Sequence, residues 1–165
     1  MGRGVSCGVD ASPASLRFAL LPFDALSVDD LYACLRLRAE VFVVEQECAY
    51  QDLDGLDRHG LHVLARDVTG DLRGYARLLP PGVDFADACA IGRIVTSPTV
   101  RRAGAGRPLV RQALGHCRRL WPGVDVRIRA QTYLLGFYRE FGFVEYGGEF
   151  LEDGLPHRLM VAAGA

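Results

Sequence analysis

Apolar and polar positions follow two rhythms along this chain, one of two residues and one of three to four, and together they mark out a series of short elements. Val124, Val126, Ile128 and Ala130 alternate with Asp125, Arg127, Arg129 and Gln131, the period of a half-buried strand. Over 108–120 the apolar residues Leu109, Val110, Ala113, Leu114, Cys117 and Leu120 recur at helical spacing, with Pro108 close to the first turn and Trp121-Pro122-Gly123 ending the run. Ser27-Val28-Asp29-Asp30 is a capping box with Asp in place of Glu, and Leu31, Cys34, Leu35, Arg38 and Phe42 follow it, so a helix starts near Val28. Short apolar runs predict strands at 16–21, 62–65, 75–79 and 88–96, the middle two joined by a turn at Thr69-Gly70-Asp71. A short helix over 132–141 closes on Gly142, and 143–150 with 157–161 flank Glu152-Asp153-Gly154 as a final hairpin. The predicted order is strand, helices, three strands, helix, strand, helix and two strands, in one α/β domain with a mixed sheet.

At 165 residues, half of them apolar, such a domain can bury a core without metal or disulfide support. The longest stretch free of charge is nine residues, 130–138, against the roughly 20 that a membrane helix needs. Residues 1–15 lack the apolar run of a secretory signal and read as a disordered leader, leaving 16–165 as the domain. Five scattered cysteines without a C-x-x-C pair argue against a disulfide framework and a zinc site, and point to reduced thiols in a cytoplasmic chain with no metal.

Charge sharpens the picture. All 19 basic residues are arginine, which excludes chemistry that needs a lysine amine: a Schiff base, a pyridoxal phosphate anchor, a Ser-Lys dyad or the P-loop lysine. The arginines are also unevenly placed. Seven fall between Arg93 and Arg119 with no acid among them, whereas 40–57 holds Glu40, Glu45, Glu47, Asp52, Asp54 and Asp57 with no base. Two opposed poles suggest two ligands, or two ends of one reaction.

Within the basic stretch, Arg101-Arg102-Ala103-Gly104-Ala105-Gly106-Arg107 lies between a strand and a helix. Small residues let backbone approach an anion, and the unpaired N–H groups of a helix start attract it, so a pyrophosphate fits. A tight turn or a solvated basic face is the alternative. A nucleic-acid patch is disfavoured by a net charge of -1 and by the absence of aromatics from the basic stretch before Trp121.

The run Arg101-x-x-Gly104-x-Gly106 after Ile94-Val95-Thr96-Ser97-Pro98 resembles the acetyl-CoA signature of the GCN5-related N-acetyltransferases (GNAT). Gln131-x-x-Leu134-x-x-x-Tyr138-x-x-x-Gly142-Phe143 resembles that family's second motif. Leu35-Arg36-Leu37-Arg38, Val41 to Gln46, Tyr50 to Gly55 and Glu152-Asp153-Gly154-x-Pro156-His157 are similar to its ElaA-like branch. The resemblance covers nearly everything from Leu16 onward. It implies a single-domain GNAT-like fold: a mixed, mostly antiparallel sheet flanked by helices, whose central parallel strands, 88–96 and 124–130, splay to admit the pantetheine arm of acetyl-CoA.

By the same resemblance, backbone groups of Ile94, Val95 and Thr96 would pair with the pantetheine, an N–H near Ile94 would polarise the thioester carbonyl, and the N–H groups of Arg102, Ala103, Gly104, Ala105, Gly106 and Arg107, with Arg101, would hold the pyrophosphate. Gln131 would hold the arm or end its strand. Tyr138 is the candidate proton donor to the departing thiolate, or else a core aromatic beside Phe137 and Phe141. Many relatives carry a glutamate on the strand where this chain has only Arg93, so Glu45 is the first candidate for the base, with His62, His157 and water as the alternatives. The implied activity is acetyl transfer by direct attack of a small-molecule or peptide amine, drawn as a cation by the acidic stretch, with no covalent acyl-enzyme. A silent CoA-binding module and an RNA-binding accessory domain are the competing readings, and a homodimer is compatible with all three.

Overall fold

The computed structural model describes residues 16–165; the leader expected over 1–15 lies outside them. In chain order the elements are β1 (Arg17–Pro22), α1 (Val28–Arg38), a π-helical turn (Ala39–Glu45), β2 (Leu61–Arg66), β3 (Leu72–Leu79), β4 (Cys89–Thr96), α2 (Pro98–Arg101), α3 (Gly106–Leu120), β5 (Val126–Gln131), α4 (Leu135–Arg139), β6 (Val144–Glu152) and β7 (Leu155–Ala162). Seven strands form one sheet in the order β1-β2-β3-β4-β5-β7-β6, antiparallel everywhere except between β4 and β5. Among the described residues no helix is long and apolar enough to cross a membrane.

Local chemistry explains the helix starts. The Ser27 hydroxyl accepts the Asp30 N–H at 3.0 Å and the Asp30 carboxylate accepts the Ser27 N–H at 3.3 Å, the reciprocal bonds of the predicted capping box. α1 turns Cys34, Leu37 and Arg38 to the sheet, and the π turn that continues it adds Val41. α3 buries Leu109, Val110, Ala113, Leu114 and Cys117 against the other face. The sheet therefore separates two cores. Ile91, Val126, Ile128, Ala130, Tyr138, Phe143 and Met160 pack with α3, whereas Leu64, Tyr75 and Val95 pack with α1.

Two irregularities in β4 open the centre of the sheet. Tyr75 faces Val95 and Arg77 faces Gly92, so Ala76 opposes both Arg93 and Ile94, a bulge in which Arg93 takes the left-handed backbone region with φ of +53°. β4 and β5 pair only at Cys89 with Val126 and Ala90 with Arg127. Beyond those two positions the strands part.

Candidate active site

Where β4 and β5 separate, a cavity of about 900 Å³ opens through the sheet, near the upper end of the roughly 300–1,000 Å³ usual for ligand sites. Its walls come from both strands, the π turn, the loop after β4, α4 and the β6–β7 hairpin. Glu45, Ile94, Val95, Thr96, Arg101, Gly104, Gly106, Arg107, Gln131 and Tyr138 all border it, so residues 93 positions apart in the chain are brought to one place. Arg102, Ala103 and Ala105 do not border it; Arg102 is exposed and Ala105 is buried.

The β4 backbone on the β5 side has no strand partner past Ala90, which leaves amide groups facing the gap. Only the backbone of Val95 can serve there, because its side chain is buried with Tyr75 in the α1-side core. Ile94 leans the other way, onto the α3-side core.

The loop before α3 is narrower in its donors than the sequence suggests. The N–H groups of Ala103, Gly104 and Arg107 are spent on turn bonds to Val100, Arg101 and Gly104 carbonyls. Those of Ala105 and Gly106 have no acceptor among the described residues, and Gly106 opens α3. Gly104 holds φ of +80°, a conformation that favours glycine, and a Cβ at Gly106 would come within 3.4 Å of the Phe137 ring. α4 thus packs directly on the start of α3.

The expected acidic pole is largely neutralised in the structure, because arginines from inside and outside the basic stretch close on four of its six acids. Arg38 binds Asp52 at 2.9 Å and Asp57 at 2.8 Å; Arg77 binds Asp54 at 2.6 Å and Asp57 at 2.8 Å. Arg93 joins the same network at Asp52 and Asp54, at 2.8 and 3.2 Å, with Tyr50 donating to Asp52. Three arginines and three aspartates are thereby balanced, and the 50–57 loop is pinned across the sheet. Burial pushes the Asp54 carboxyl up, but the hydrogen bonds from Arg77 and the Leu56 N–H outweigh it and hold the group at about 2. Arg101 is closed on Glu45 at 2.5 and 3.1 Å, and Arg107 on Glu140 at 2.9 Å through two bonds. Of the six acids, Glu45, Asp52, Asp54 and Asp57 are therefore closed by guanidinium groups, and Glu40 and Glu47 alone have no ion pair among the described residues.

Glu45, placed by the end of the π turn, is held below the usual carboxylate range by the Arg101 hydrogen bonds, which makes it a poor proton acceptor while that pair stands. His62 is excluded as the base. It is buried away from the cavity, its Nε2–H donates to the Asp57 carbonyl at 3.0 Å, and its Nδ1 accepts from the Tyr75 hydroxyl at 2.7 Å. A carbonyl can only accept, so this tautomer is set by its partners, and burial lowers the ring's affinity for a second proton. His157 does border the cavity; its Nδ1 lies 2.8 Å from the Leu155 carbonyl.

Tyr138 is buried between Phe137 and Phe143 in edge-to-face contacts, with ring centroids 5.2 and 6.1 Å away. Burial raises its pKa, so the phenol keeps its proton. No described residue hydrogen-bonds its hydroxyl, which is left for a ligand in the cavity. Gln131 reaches Gln46 at 3.3 Å and ties β5 to the π turn.

Sequence reasoning passed over one wall. Arg127 pairs with Asp87 at 2.8 and 2.9 Å and Arg129 with Asp84 at 2.6 and 2.9 Å, while Phe85 lies under both guanidinium groups at 5.5 and 4.7 Å. The loop before β4 is so fastened over β5. The polar phase of the β5 alternation, Arg127 and Arg129, was the available signal.

Residues 30–163 match the family described as an acetyltransferase (GNAT) domain. Protein ElaA of Escherichia coli strain K12 is 42% identical over 134 residues, 80% of this chain and 86% of that protein. The structure of an acyl-CoA N-acyltransferase from Pseudomonas aeruginosa superposes with a TM-score of 0.84 at 41% identity, covering 90% of this chain and all of the other. That of Escherichia coli ElaA gives 0.83 at 38% identity, over 89% and 99% of the two chains.

Proposed function

The chain belongs to the GNAT acetyltransferase family, in its ElaA-like branch, and is an acyltransferase; on that premise we propose that it moves the acetyl group of acetyl-CoA to an amine by direct attack on the thioester. The observation that carries this reading is the parting of β4 and β5 after two residue pairs. A pantetheine arm carries two amides in an extended chain, and an extended chain can satisfy strand backbone that has lost its neighbour.

On this reading the Gly106 N–H, which borders the cavity at the start of α3, receives the pyrophosphate. Arg101 and Arg107 add charge by exchanging exposed carboxylate partners for phosphate oxygens. Such surface pairs are worth roughly 0–1 kcal/mol, so the exchange costs little. Backbone N–H at the β4 bulge faces the thioester oxygen as it gains charge, a contribution of about 3 kcal/mol in comparable oxyanion sites. Tyr138 donates its proton to the leaving thiolate. Glu45 acts through Arg101, releasing it to the phosphate. A cytoplasmic, reducing setting suits the free thiols at Cys34, Cys48, Cys89 and Cys117.

Pairing of Arg93, Arg101 and Arg107 with carboxylates takes three of the seven arginines of the basic stretch out of any face for RNA. The test is thermal: acetyl-CoA raises the melting temperature, and Gly104→Glu, which adds bulk and negative charge to the loop, abolishes the rise. Thiol release is then followed with spermidine, amino acids, an aminoglycoside and short peptides. Absence of a thermal shift in the parent, or of thiol release with every amine, contradicts the proposal.

A further inference from the structure

Four of the carboxylates around the cavity are closed by guanidinium groups at 2.5–2.9 Å: Glu45, Asp54 and Asp84 on its wall and Asp52 just behind it. Glu152, at the end of β6, is different. Its nearest cationic atoms are Arg129 Nε and His157 Nε2, each at 3.7 Å, beyond hydrogen-bond length. Arg129 is already engaged by Asp84 through two bonds. Glu152 therefore has no hydrogen-bonded ion pair and stands beside a histidine on the cavity wall.

The histidine is prepared for one task. A carbonyl oxygen cannot donate, so the 2.8 Å contact with Leu155 puts the proton on Nδ1 and leaves the lone pair of the neutral ring on Nε2, the nitrogen turned toward Glu152. Phe150 stacks on the ring at 27° and 6.0 Å and limits its rotation. The other charged and titratable groups around it are Arg129 with Asp84 from the β5 side, Asp153 in the hairpin turn, and Cys48, whose thiol donates to the Asp153 carbonyl at 3.3 Å.

His157 is opposite Gln131 across the β5–β7 pair, on the face that carries Arg127 and Arg129. Ile128 and Ala130 face the other way, into the core that contains Tyr138. His157 and Tyr138 thus stand on opposite faces of the sheet and meet one cavity only because β4 and β5 part.

We propose that His157 is the base of the reaction and that Glu152 draws the acceptor's ammonium group to it; this rests on the acetyl-transfer reading above. The ammonium gives one proton to Nε2. The freed nitrogen lone pair attacks the thioester carbon from the His157 face, the C–N bond forms and the C–S bond breaks. The thiolate takes the Tyr138 proton on the opposite face. The nitrogen sheds its second proton as the amide forms, which restores the phenol, and the proton on His157 leaves to water.

The experiment compares the full-length parent, His157→Gln, His157→Asn and Glu152→Gln with acetyl-CoA and whichever of the amines named above the parent acetylates best. In the parent, kcat/KM rises with pH as the base loses its proton. Both His157 variants lose roughly 10²- to 10⁴-fold at neutral pH, the usual worth of a general base, and lose that rise, while acetyl-CoA raises their melting temperatures as much as the parent's. Glu152→Gln raises KM for a cationic amine with a smaller change in kcat. Parental rates and an unchanged pH profile in either His157 variant overturn the assignment and leave acetyl transfer standing. No thiol release from the parent with any amine overturns both. Independently of any acceptor, long-range ¹H–¹⁵N spectra of the labelled protein should show His157 protonated at Nδ1 and bare at Nε2; a proton on Nε2 in the neutral ring overturns the assignment.

Discussion

Arg101 of α2 reaches back to Glu45 of the π turn through two hydrogen bonds, at 2.5 and 3.1 Å, and so joins the loop before α3 to the helix on the opposite face of the sheet. Both side chains are nearly half exposed, so the pair is a modest restraint and can be exchanged for a phosphate. Glu45→Gln should tighten acetyl-CoA about two- to fivefold by freeing the guanidinium, and Arg101→Gln should weaken it roughly 10- to 100-fold, the loss of one charge-assisted contact. Calorimetric titration measures both. A rate loss of 10²-fold or more in Glu45→Gln, without a change in acetyl-CoA affinity, would instead make Glu45 the base.

Tyr138→Phe separates stability from chemistry. The hydroxyl has no hydrogen-bond partner among the described residues, and the ring keeps its contacts with Phe137 and Phe143. The variant should melt within about 1 °C of the parent and bind acetyl-CoA normally, while kcat falls about 10²-fold, the lower end for general acid catalysis. Turnover equal to the parent's would remove Tyr138 from the reaction.

The guanidinium of Arg38 is 1% exposed and satisfies two aspartates, of which Asp52 is 5% exposed. Arg38→Met leaves each carboxylate with one arginine in place of two, Asp52 with Arg93 and Asp57 with Arg77, at a cost of about 3 kcal/mol in urea unfolding, the lower end for breaking a buried pair. Adding Asp52→Asn should recover part of the loss. Strict additivity of the two changes would mean that they do not interact.

Acid stability follows from the same network. Asp54 is depressed from 3.8 to about 2 by its Arg77 and Leu56 hydrogen bonds, against the effect of burial. A carboxyl lowered by folding contributes stability that is complete above its unfolded value and disappears as pH falls through the folded one. Urea midpoints should therefore hold down to about pH 4 and drop between 4 and 2. In Asp54→Asn that drop should be shallower.

Regular elements were legible wherever side-chain period decided them. The alternation in β5, the stripe of α3 and the capping box of α1 all give one answer locally, and β5 and α3 appear within two residues of their predicted starts. The π turn was not legible, because widening the helix by one residue per turn leaves the apolar pattern of Val41 and Phe42 intact. Nor was the left-handed Arg93, a position where glycine would have been the signal. The site was readable as a set of positions and unreadable as a charge distribution. Arg38, Arg77 and Arg93 meet Asp52, Asp54 and Asp57 from 14 to 41 residues away, and no local pattern reports which carboxylates will be neutralised. That is why Glu45 looked available, and why His62 and His157 both stood as candidates.

On the proposed reaction, the gap between β4 and β5 has a kinetic consequence. Acetyl-CoA and free CoA share the whole arm and pyrophosphate and differ only by the acetyl group, so the strands and the loop before α3 grip product almost as well as cosubstrate. Product inhibition is thereby built into the architecture: CoA should compete with acetyl-CoA at an inhibition constant within a few-fold of the acetyl-CoA dissociation constant, and the ratio of the two in the cell, more than the level of either, would set the enzyme's rate.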